Sequence, residues 1–556
     1  KVMGIKLTEG NMPTEADEKG NDLIFYGYKN LQEELQAQVG DRLEKSFFQD
    51  YDRTYFAGFT ENIQFSSARV KDNYAVFVIN DRRDFMGVTY IRIKAGADIE
   101  QAVKHIQQAV AHIDPTFPIN IKFYDKIFDQ LYQQEENMKQ MITLFSALAQ
   151  TPQEDFKRDV TLSSSNYVAY RGPQKQLTPA PKGYKPFYLS HYGRHGSRYM
   201  IGKKAYDVPY FSLLKAKQEG KLTAKGEETL EKVKLIRDDA KGRDGELTPL
   251  GAIQHQGITK RMMERFPEIF AGKTNIEARS TVVIRCILSM ENGLQQMLRM
   301  NPQLNIFHDA SYHDMYYMNL SDKRLDSLKN CIGRKTVQEE FTKKHDCYDR
   351  VMKELFNDPY WVKQNINPRD LNWKLFEMAG AIQGTELRGK VSLYDLFNEE
   401  EIYQNWVVSN SWWQMSYGYS PYTGAEQPYS QRNLLRNIIE KADSCIALQH
   451  PGATLRYGHD TMVTPLTCLL NLNGYGALIK DPENIAKMWF DYKITPMATN
   501  LQFVFYRNQK KPNDVLVKVL LNEDEATLPI KSDVAPYYHW NDFKDYCMKI
   551  LAAKKY

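Results

Sequence analysis

A short apolar run, Phe187-Tyr188-Leu189-Ser190, passes without a break into His191-Tyr192-Gly193-Arg194-His195-Gly196-Ser197-Arg198. The run reads as a short buried strand. A strand that delivers polar, chemically competent side chains at its C-terminal end is the usual site geometry of open α/β sheets. Gly196 lets the backbone turn tightly beside the imidazole of His195. Guanidinium forks match the oxygens of a phosphate and stay charged at any relevant pH. An imidazole set between the forks of Arg194 and Arg198 can attack a phosphorus that they hold.

Two later stretches carry side chains of the same kind. In Ala278-Arg279-Ser280-Thr281-Val282-Val283-Ile284-Arg285-Cys286 the arginines stand close to apolar residues. A guanidinium in such surroundings wants an anionic partner, because an unpaired buried charge is costly. Arg285 is the candidate for a third phosphate clamp, with an internal salt bridge as the alternative; Arg279 is a lesser candidate. Thr454-Leu455-Arg456-Tyr457-Gly458-His459-Asp460-Thr461 is a second β-type run, and it ends in Gly-His-Asp. His459 can donate to a phosphate oxygen, and Asp460, if it stays protonated beside an anionic substrate, can give its proton to a leaving alcohol. Alone, the pair would pass for a loop histidine and its neighbour; it gains its meaning from the Arg-His-Gly-x-Arg run upstream. Between them, Gly245-Glu246-Leu247-Thr248-Pro249-Leu250-Gly251 opens a helix bearing Gln254, His255, Gly257 and Arg261. Thr248 suits its cap and Pro249 its first turn, and the segment reads as structural.

At 556 residues the chain is too long for one ordinary core, so two or more domains are expected. No run of about 18 apolar residues occurs, so no membrane span is expected. The chain begins Lys1-Val2-Met3 without a basic-then-apolar leader. The net charge of +4 is uneven: residues 1–150 carry 17 Lys and Arg against 22 Asp and Glu, a net of −5, and the remaining 406 carry 56 against 47, a net of +9. The surplus sits with the phosphate-type motif, as a slightly basic surface or as a positive cleft for a polyanion. No arginine stripe or nucleic-acid motif accompanies it, so nucleic acid is not an expected partner. The six cysteines, Cys286, Cys331, Cys347, Cys445, Cys468 and Cys547, include no Cys-x-x-Cys pair, so no metal site or cofactor is expected and buried free thiols are.

The first part reads differently. Val88 to Lys94 is a β-rich run; Asp98 can cap a following helix, with Gln101 at the capping-box position. Ile99, Val103, Ile106, Val110 and Ile113 recur at helical spacing until Asp114-Pro115 ends the helix. Ile119, Ile121 and Phe123 alternate as a strand, and a second helix is expected over Lys126 to Leu148. Through Tyr90-Ile91-Arg92-Ile93-Lys94-Ala95-Gly96, Asp114-Pro115-Thr116-Phe117-Pro118, Phe123-Tyr124-Asp125 and Tyr132-Gln133-Gln134-Glu135, residues 1–149 resemble the extracytoplasmic domain of MacB/FtsX-type ABC transporter permeases. That resemblance implies a periplasmic α+β interaction domain over residues 1–150, with a protein partner. Residues 151–185, with Ser163-Ser164-Ser165 and Pro173, Pro179, Pro181, read as a linker and entry segment.

Residues 155–556 resemble the histidine acid phosphatases, branch two of the histidine phosphatase superfamily. The likeness is closest to bacterial multiple inositol polyphosphate phosphatases and phytases. It is carried by Ser165-Asn166-Tyr167, Ala180-Pro181-Lys182-Gly183-Tyr184-Lys185-Pro186-Phe187-Tyr188, the run 190–198, Arg279-Ser280-Thr281 and Pro496-Met497-Ala498-Thr499-Asn500-Leu501. The resemblance implies an α/β core, a sheet flanked by helices, over residues 186–556 with a mostly helical cap at roughly 300–430. It implies metal-independent removal of phosphates from inositol polyphosphates (phytate) through a phosphohistidine. His195 would be the nucleophile, Arg194, Arg198, Arg285 and His459 the phosphate-binding groups, and Asp460 the proton donor. It also implies an exported, periplasmic setting and an anionic small-molecule substrate. Two departures stand out: Tyr199-Met200 follows the second arginine where the family often has proline, and His459-Asp460-Thr461 replaces the His-Ala-Glu of the inositol polyphosphate branch. A broad-specificity acid or sugar-phosphate phosphatase is the alternative enzyme, and a non-catalytic periplasmic interaction protein the alternative of another class. Trp412 and Trp413 of the cap could line the pocket.

Overall fold

The computed structural model describes residues 6–12, 14, 22–42, 53–61, 76–79, 99–113 and 151–554. The chain divides into two compact units, Lys1–Leu148 and Ala149–Tyr556. In the first, β1 (Leu7–Gly10), β2 (Leu23–Tyr28), β3 (Thr54–Thr60) and β4 (Val76–Ile79) form a sheet of order β1-β3-β2-β4, with β2 and β3 parallel. Leu23, Phe25, Ala37, Phe56 and Phe59 make its small core, and α1 (Lys29–Leu35) follows β2 directly. The apolar stripe of the sequence forms α2 (Ile99–Ile113). The strands expected at 88–94 and 119–123, the cap Asp98 and the helix expected over 126–148 lie outside the described residues.

The second unit is built on one eight-stranded sheet. Its strands are β5 (Tyr184–Arg194), β6 (Asn275–Ser280), β7 (Asn305–Asp309), β8 (Gly452–Gly458), β9 (Asn500–Asn508), β10 (Val515–Leu521), β11 (Asp524–Glu525) and β12 (Tyr537–His539). The order is β11-β10-β9-β5-β8-β6-β7, with β12 pairing on β10. β5, β8, β6 and β7 run parallel, and β9 is antiparallel to β5. Every residue of β8, in the parallel part of the sheet, and of β10, in its antiparallel part, is buried, because helices cover both faces. Among its helices, in chain order, are α3 (Pro152–Arg158), α4 (Lys204–Gln218), α5 (Ala224–Asp239), α6 (Pro249–Arg265), α7 (Ile284–Met300), α8 (Ile332–Lys344), α9 (Pro368–Ala381), α10 (Glu399–Tyr417), α11 (Arg432–Ile446), α12 (Asp460–Leu469) and α13 (Trp540–Ala552). Period-two alternation sorts the strand side chains. Leu189, Ile276, Leu455 and Val504 pack on Ile258 and Met262 of α6 and Met290 and Leu294 of α7. Tyr188, Tyr192, Phe503 and Phe505 pack on Ile438 of α11, Leu466 of α12 and Phe543 of α13.

Two expectations change. The cap is not one stretch of chain: Leu213 of α4 and Val233 and Ile236 of α5 share a core with Phe341 of α8, Leu375 of α9 and Trp406 of α10. The start of the span assigned to the cap, Asn305–Asp309, is instead edge strand β7. The entry segment is irregular only in its second half, residues 168–183; the first half is helical. Thr151 and Glu154 form a capping box that starts α3, a 3-10 helix runs Val160–Tyr167, and Phe156 stacks edge-on to Trp406 at 5.1 Å. Its serines are interior groups: Ser165 Oγ donates to Asp491 at 2.5 Å, and Ser163 Oγ donates to the Val160 carbonyl at 2.7 Å. Satisfied hydroxyls of this kind can be buried, which composition alone does not reveal.

Candidate active site

The strand register gathers the candidate residues. Arg194 at the end of β5 faces Gly458 at the end of β8, and Tyr457 faces Ser280 at the end of β6. Three parallel strands therefore stop at one edge of the sheet, and residues 194–198, 459–460 and the start of α7 emerge together there. The loop is held by backbone: Arg194 N–H donates to the Thr499 carbonyl at 2.8 Å and His195 N–H to the Gly458 carbonyl at 2.9 Å. Gly196 lies so close to Gly251 of α6 that a Cβ on either would overlap the other loop's backbone. Ser197 N–H donates to Gln254 Oε1 at 2.8 Å, and Thr248 Oγ1 caps α6. The helix read as structural is the platform on which the loop rests.

His195 is buried, and its Nδ1 sits 2.9 Å from the Gly196 carbonyl oxygen. A carbonyl only accepts, so Nδ1 carries the proton of the neutral ring and Nε2 keeps its lone pair. Burial, followed by the charges of Arg194, Arg198, Arg285 and His459, holds the imidazole well below the usual histidine range. These causes favour the neutral ring, with the lone pair on Nε2. His459 faces it edge-on with ring centroids 5.9 Å apart, and its Nε2 lies 3.1 Å from Thr281 Oγ1. Burial and the surrounding arginines push His459 down to about 4, although Asp460 opposes them.

The three guanidiniums share one property. The Nε atoms of Arg194, Arg198 and Arg285 are all buried without a hydrogen-bond partner in the protein. Buried donors are normally satisfied, so three orphaned N–H groups around one imidazole describe a receptacle for oxyanion acceptors. Arg194 spends Nη1 on the carbonyls of Asn166 and Thr495, at 2.6 and 2.8 Å, which fixes its plane. Arg198 lies over the Tyr167 ring, 5.1 Å from its centroid, and donates from Nη1 to the Tyr199 carbonyl at 3.0 Å. Arg285 has no carboxylate partner among the described residues, so the salt-bridge alternative for it falls away. Arg279 pairs instead with Glu277 and Asp314, at 3.4 and 3.3 Å, and takes no part in the receptacle.

Asp460 opens α12, with His459 as its N-cap residue. Its Oδ2 is 2.7 Å from Arg194 Nη2 and accepts from Asn166 Nδ2 at 3.1 Å; its Oδ1 accepts from Thr461 N–H at 2.8 Å. Burial opposes ionisation, but Arg194, Arg198 and the Asn166 hydrogen bond outweigh it and hold the carboxyl below the usual aspartate range. An oxyanion in the receptacle would neutralise those arginines and let Asp460 take up a proton.

Asn166 and Tyr167 border the receptacle; in the sequence they fall in the entry segment and in a stretch that carries the phosphatase resemblance, with no role assigned to either. Asn166 touches both Arg194 and Asp460, and Tyr167 accepts from Arg198 Nη1 at 3.4 Å. Nothing in their local pattern connects them to a residue 294 positions away. A chamber of about 640 Å³ adjoins the receptacle, with Asn166, Tyr167 and Arg198 on its inner side and Trp373, Trp412 and Trp413 from the cap in its wall. Among the described residues, no group of three or more His, Cys, Asp or Glu side chains is placed to hold a metal ion. None of the six cysteines is paired.

Residues 192–522 match the family model described as the histidine phosphatase superfamily, branch 2. No curated protein matches the chain. Among solved structures, the multiple inositol polyphosphate phosphatase of Bifidobacterium longum in complex with phosphate is similar at a TM-score of 0.56 and 16% identity, over 69% of this chain and 97% of that one. The same enzyme in complex with inositol hexasulfate is similar at 0.53 and 16%, over 68% and 96%. The phytase from D. castellii is similar at 0.55 and 16%, over 74% and 90%. These likenesses establish a shared fold.

Proposed function

Since the chain belongs to branch 2 of the histidine phosphatase superfamily, we propose that it removes phosphates from inositol phosphates, the polyphosphates included, through a phosphohistidine. The observation that carries this reading is the set of three orphaned guanidinium Nε–H groups around a neutral imidazole whose Nε2 is free to attack. In the first step the Nε2 lone pair of His195 forms a bond to phosphorus while the bond from phosphorus to the ester oxygen breaks. Asp460 gives its proton to the departing alkoxide. Arg194, Arg198 and Arg285 neutralise the equatorial oxygens and His459 donates a hydrogen bond to one of them; positioning plus charge neutralisation is most of what phosphoryl transfer needs. In the second step water attacks phosphorus, the Asp460 carboxylate takes the water's proton, and the P–N bond breaks to release inorganic phosphate and restore His195.

The test is phosphate release from inositol phosphates between acid and neutral pH, with chelator present and His195→Ala in parallel. Chelator-resistant release that the variant loses supports the reading; release that survives the substitution ends it. Export to the periplasm belongs to the same proposal and rests on the sequence resemblance. For residues 1–150 we propose an interaction role, tested by whether that segment captures a protein partner in a pull-down.

A further inference from the structure

Ser165 has a φ of 56° and a ψ of −126°, where glycine is at ease and a residue with a Cβ is strained. Strain of this kind persists only where the surrounding contacts hold it, and it gathers at functional sites. The contacts are present. Ser165 is buried, its hydroxyl donates to Asp491 Oδ2 at 2.5 Å, and it accepts from Ser409 Oγ at 3.0 Å. The residues that follow are Asn166 and Tyr167, which border the receptacle.

Asp491 is fully buried, and no cation pairs with it among the described residues. Its Oδ1 accepts from Trp406 Nε1 at 2.9 Å and from the Tyr492 N–H at 2.7 Å, which leaves Oδ2 for Ser165. Burial pushes the carboxyl up to about 6, and in either protonation state Oδ2 can bond the serine hydroxyl. A carboxyl without a cation is costly to bury, and this one secures two segments at once. Its side chain holds Ser165, next to Asn166, whose carbonyl accepts from Arg194 Nη1 at 2.6 Å and whose amide donates to Asp460 at 3.1 Å. Its main-chain carbonyl holds Thr495, by the Thr495 N–H at 2.7 Å and Oγ1 at 2.9 Å; the Thr495 carbonyl accepts from Arg194 Nη1 at 2.8 Å. Both acceptors that fix the plane of Arg194 are therefore anchored at Asp491.

We propose that Ser165 and Asp491 are positioning residues for phosphoryl transfer: the hydrogen bond between them holds Ser165 in its strained conformation, and that conformation aims Asn166 at Arg194 and Asp460. The inference rests on the phosphatase reading above and goes beyond it, because neither residue is among the groups that bind or transfer phosphate.

The hydroxyl and the Cβ of Ser165 pull in opposite directions, and two substitutions separate them. Ser165→Ala removes the hydroxyl and keeps the Cβ, so the backbone relaxes and Asn166 moves. At its pH optimum, kcat for glycerol 2-phosphate, an ester with a poor leaving group, should fall about ten- to a hundredfold. Ser165→Gly also lacks the hydroxyl but has no Cβ to strain, and should recover most of that loss. Both leave Asp491 one donor short, so any loss of stability is common to them. The pH profile is the second readout. Arg194 and Asn166 lower the Asp460 pKa, so loosening them should move the alkaline limb of kcat upward in Ser165→Ala and not in Ser165→Gly. The other groups near Asp460 (Arg198, His459, Arg285, Tyr192, Cys286 and Tyr417) are common to both variants. A Ser165→Ala enzyme as fast as wild type overturns the proposal, and so does a Ser165→Gly enzyme as slow as Ser165→Ala. Should Ser165→Ala fail to fold, Ser165→Gly decides against wild type: kcat within a few-fold supports the proposal, and a loss of about tenfold or more overturns it. Loss of the phosphatase reading is a separate result: no His195-dependent turnover of p-nitrophenyl phosphate by the wild-type chain.

Discussion

Asp460 and Asn166 carry opposite halves of one requirement. The carboxyl must be ionised to pair with Arg194 and protonated to assist a departing alkoxide, and the 3.1 Å hydrogen bond from Asn166 favours the ionised form. Asp460→Asn removes the proton and should slow esters with poor leaving groups about 10²–10⁴-fold, with a much smaller loss on p-nitrophenyl phosphate, in parallel kcat measurements. Asn166→Ala removes a bond that lowers the Asp460 pKa. The carboxyl then keeps its proton to higher pH, and the alkaline limb of the kcat profile should move upward. A profile unmoved by this change would make Asn166 a structural residue only. Asp460 stands out in the sequence because it follows a β-type run and neighbours a histidine, and its donor role is what the family resemblance implies. The stretch Ser165-Asn166-Tyr167 carries part of the resemblance, but the contact of Asn166 with Asp460 exists only once the 3-10 helix Val160–Tyr167 is in place.

At the scale of the element, the catalytic loop is only as good as α6 beneath it. Thr248 accepts from Gly251 N–H at 3.2 Å and also donates to the Ser197 carbonyl at 3.1 Å, so one hydroxyl caps a helix and ties it to the loop. Thr248→Ala should cost about 1 kcal/mol of stability in denaturant titrations, the ordinary loss of an N-cap. Gly251→Ala should do more, because its Cβ would meet the Ser197 backbone. The backbones must part, and His195 moves with them; displacements of this order cost about a hundredfold in turnover. The helix itself was legible from Thr248-Pro249, which are local signals. Its service to the loop was not, because the pairing of Gly196 with Gly251 is made between segments more than fifty positions apart.

For the whole molecule, neutral burial of histidine sets an acid limit on stability. Burial is the first cause that holds His191 near 3 and His255 and His459 near 4, and it leads for His195 as well. Below about pH 6.5 the unfolded chain binds protons that the native state refuses, so stability falls as pH drops from about 6.5 towards 4. Thermal unfolding followed across that range should show a decline, and inorganic phosphate should restore part of it by binding only the native receptacle. A flat profile would mean that these rings are hydrated or paired in the native state.

What the sequence determined by itself was local: a strand that ends in Arg-His-Gly-x-Arg, a second that ends in Gly-His-Asp, the capped start of α6 and the apolar stripe of α2. Each follows from residue order within about one element, where φ/ψ preference, capping and periodicity act. Only the tertiary structure decided the rest. It assembled the cap from two separate pieces of chain, turned a serine-rich entry segment into buried wall, and left Gln338 and Asn372 with unmatched carbonyls. Those are facts about which polar groups find partners, and partners are chosen by chain reversal across hundreds of residues, not by neighbours in sequence.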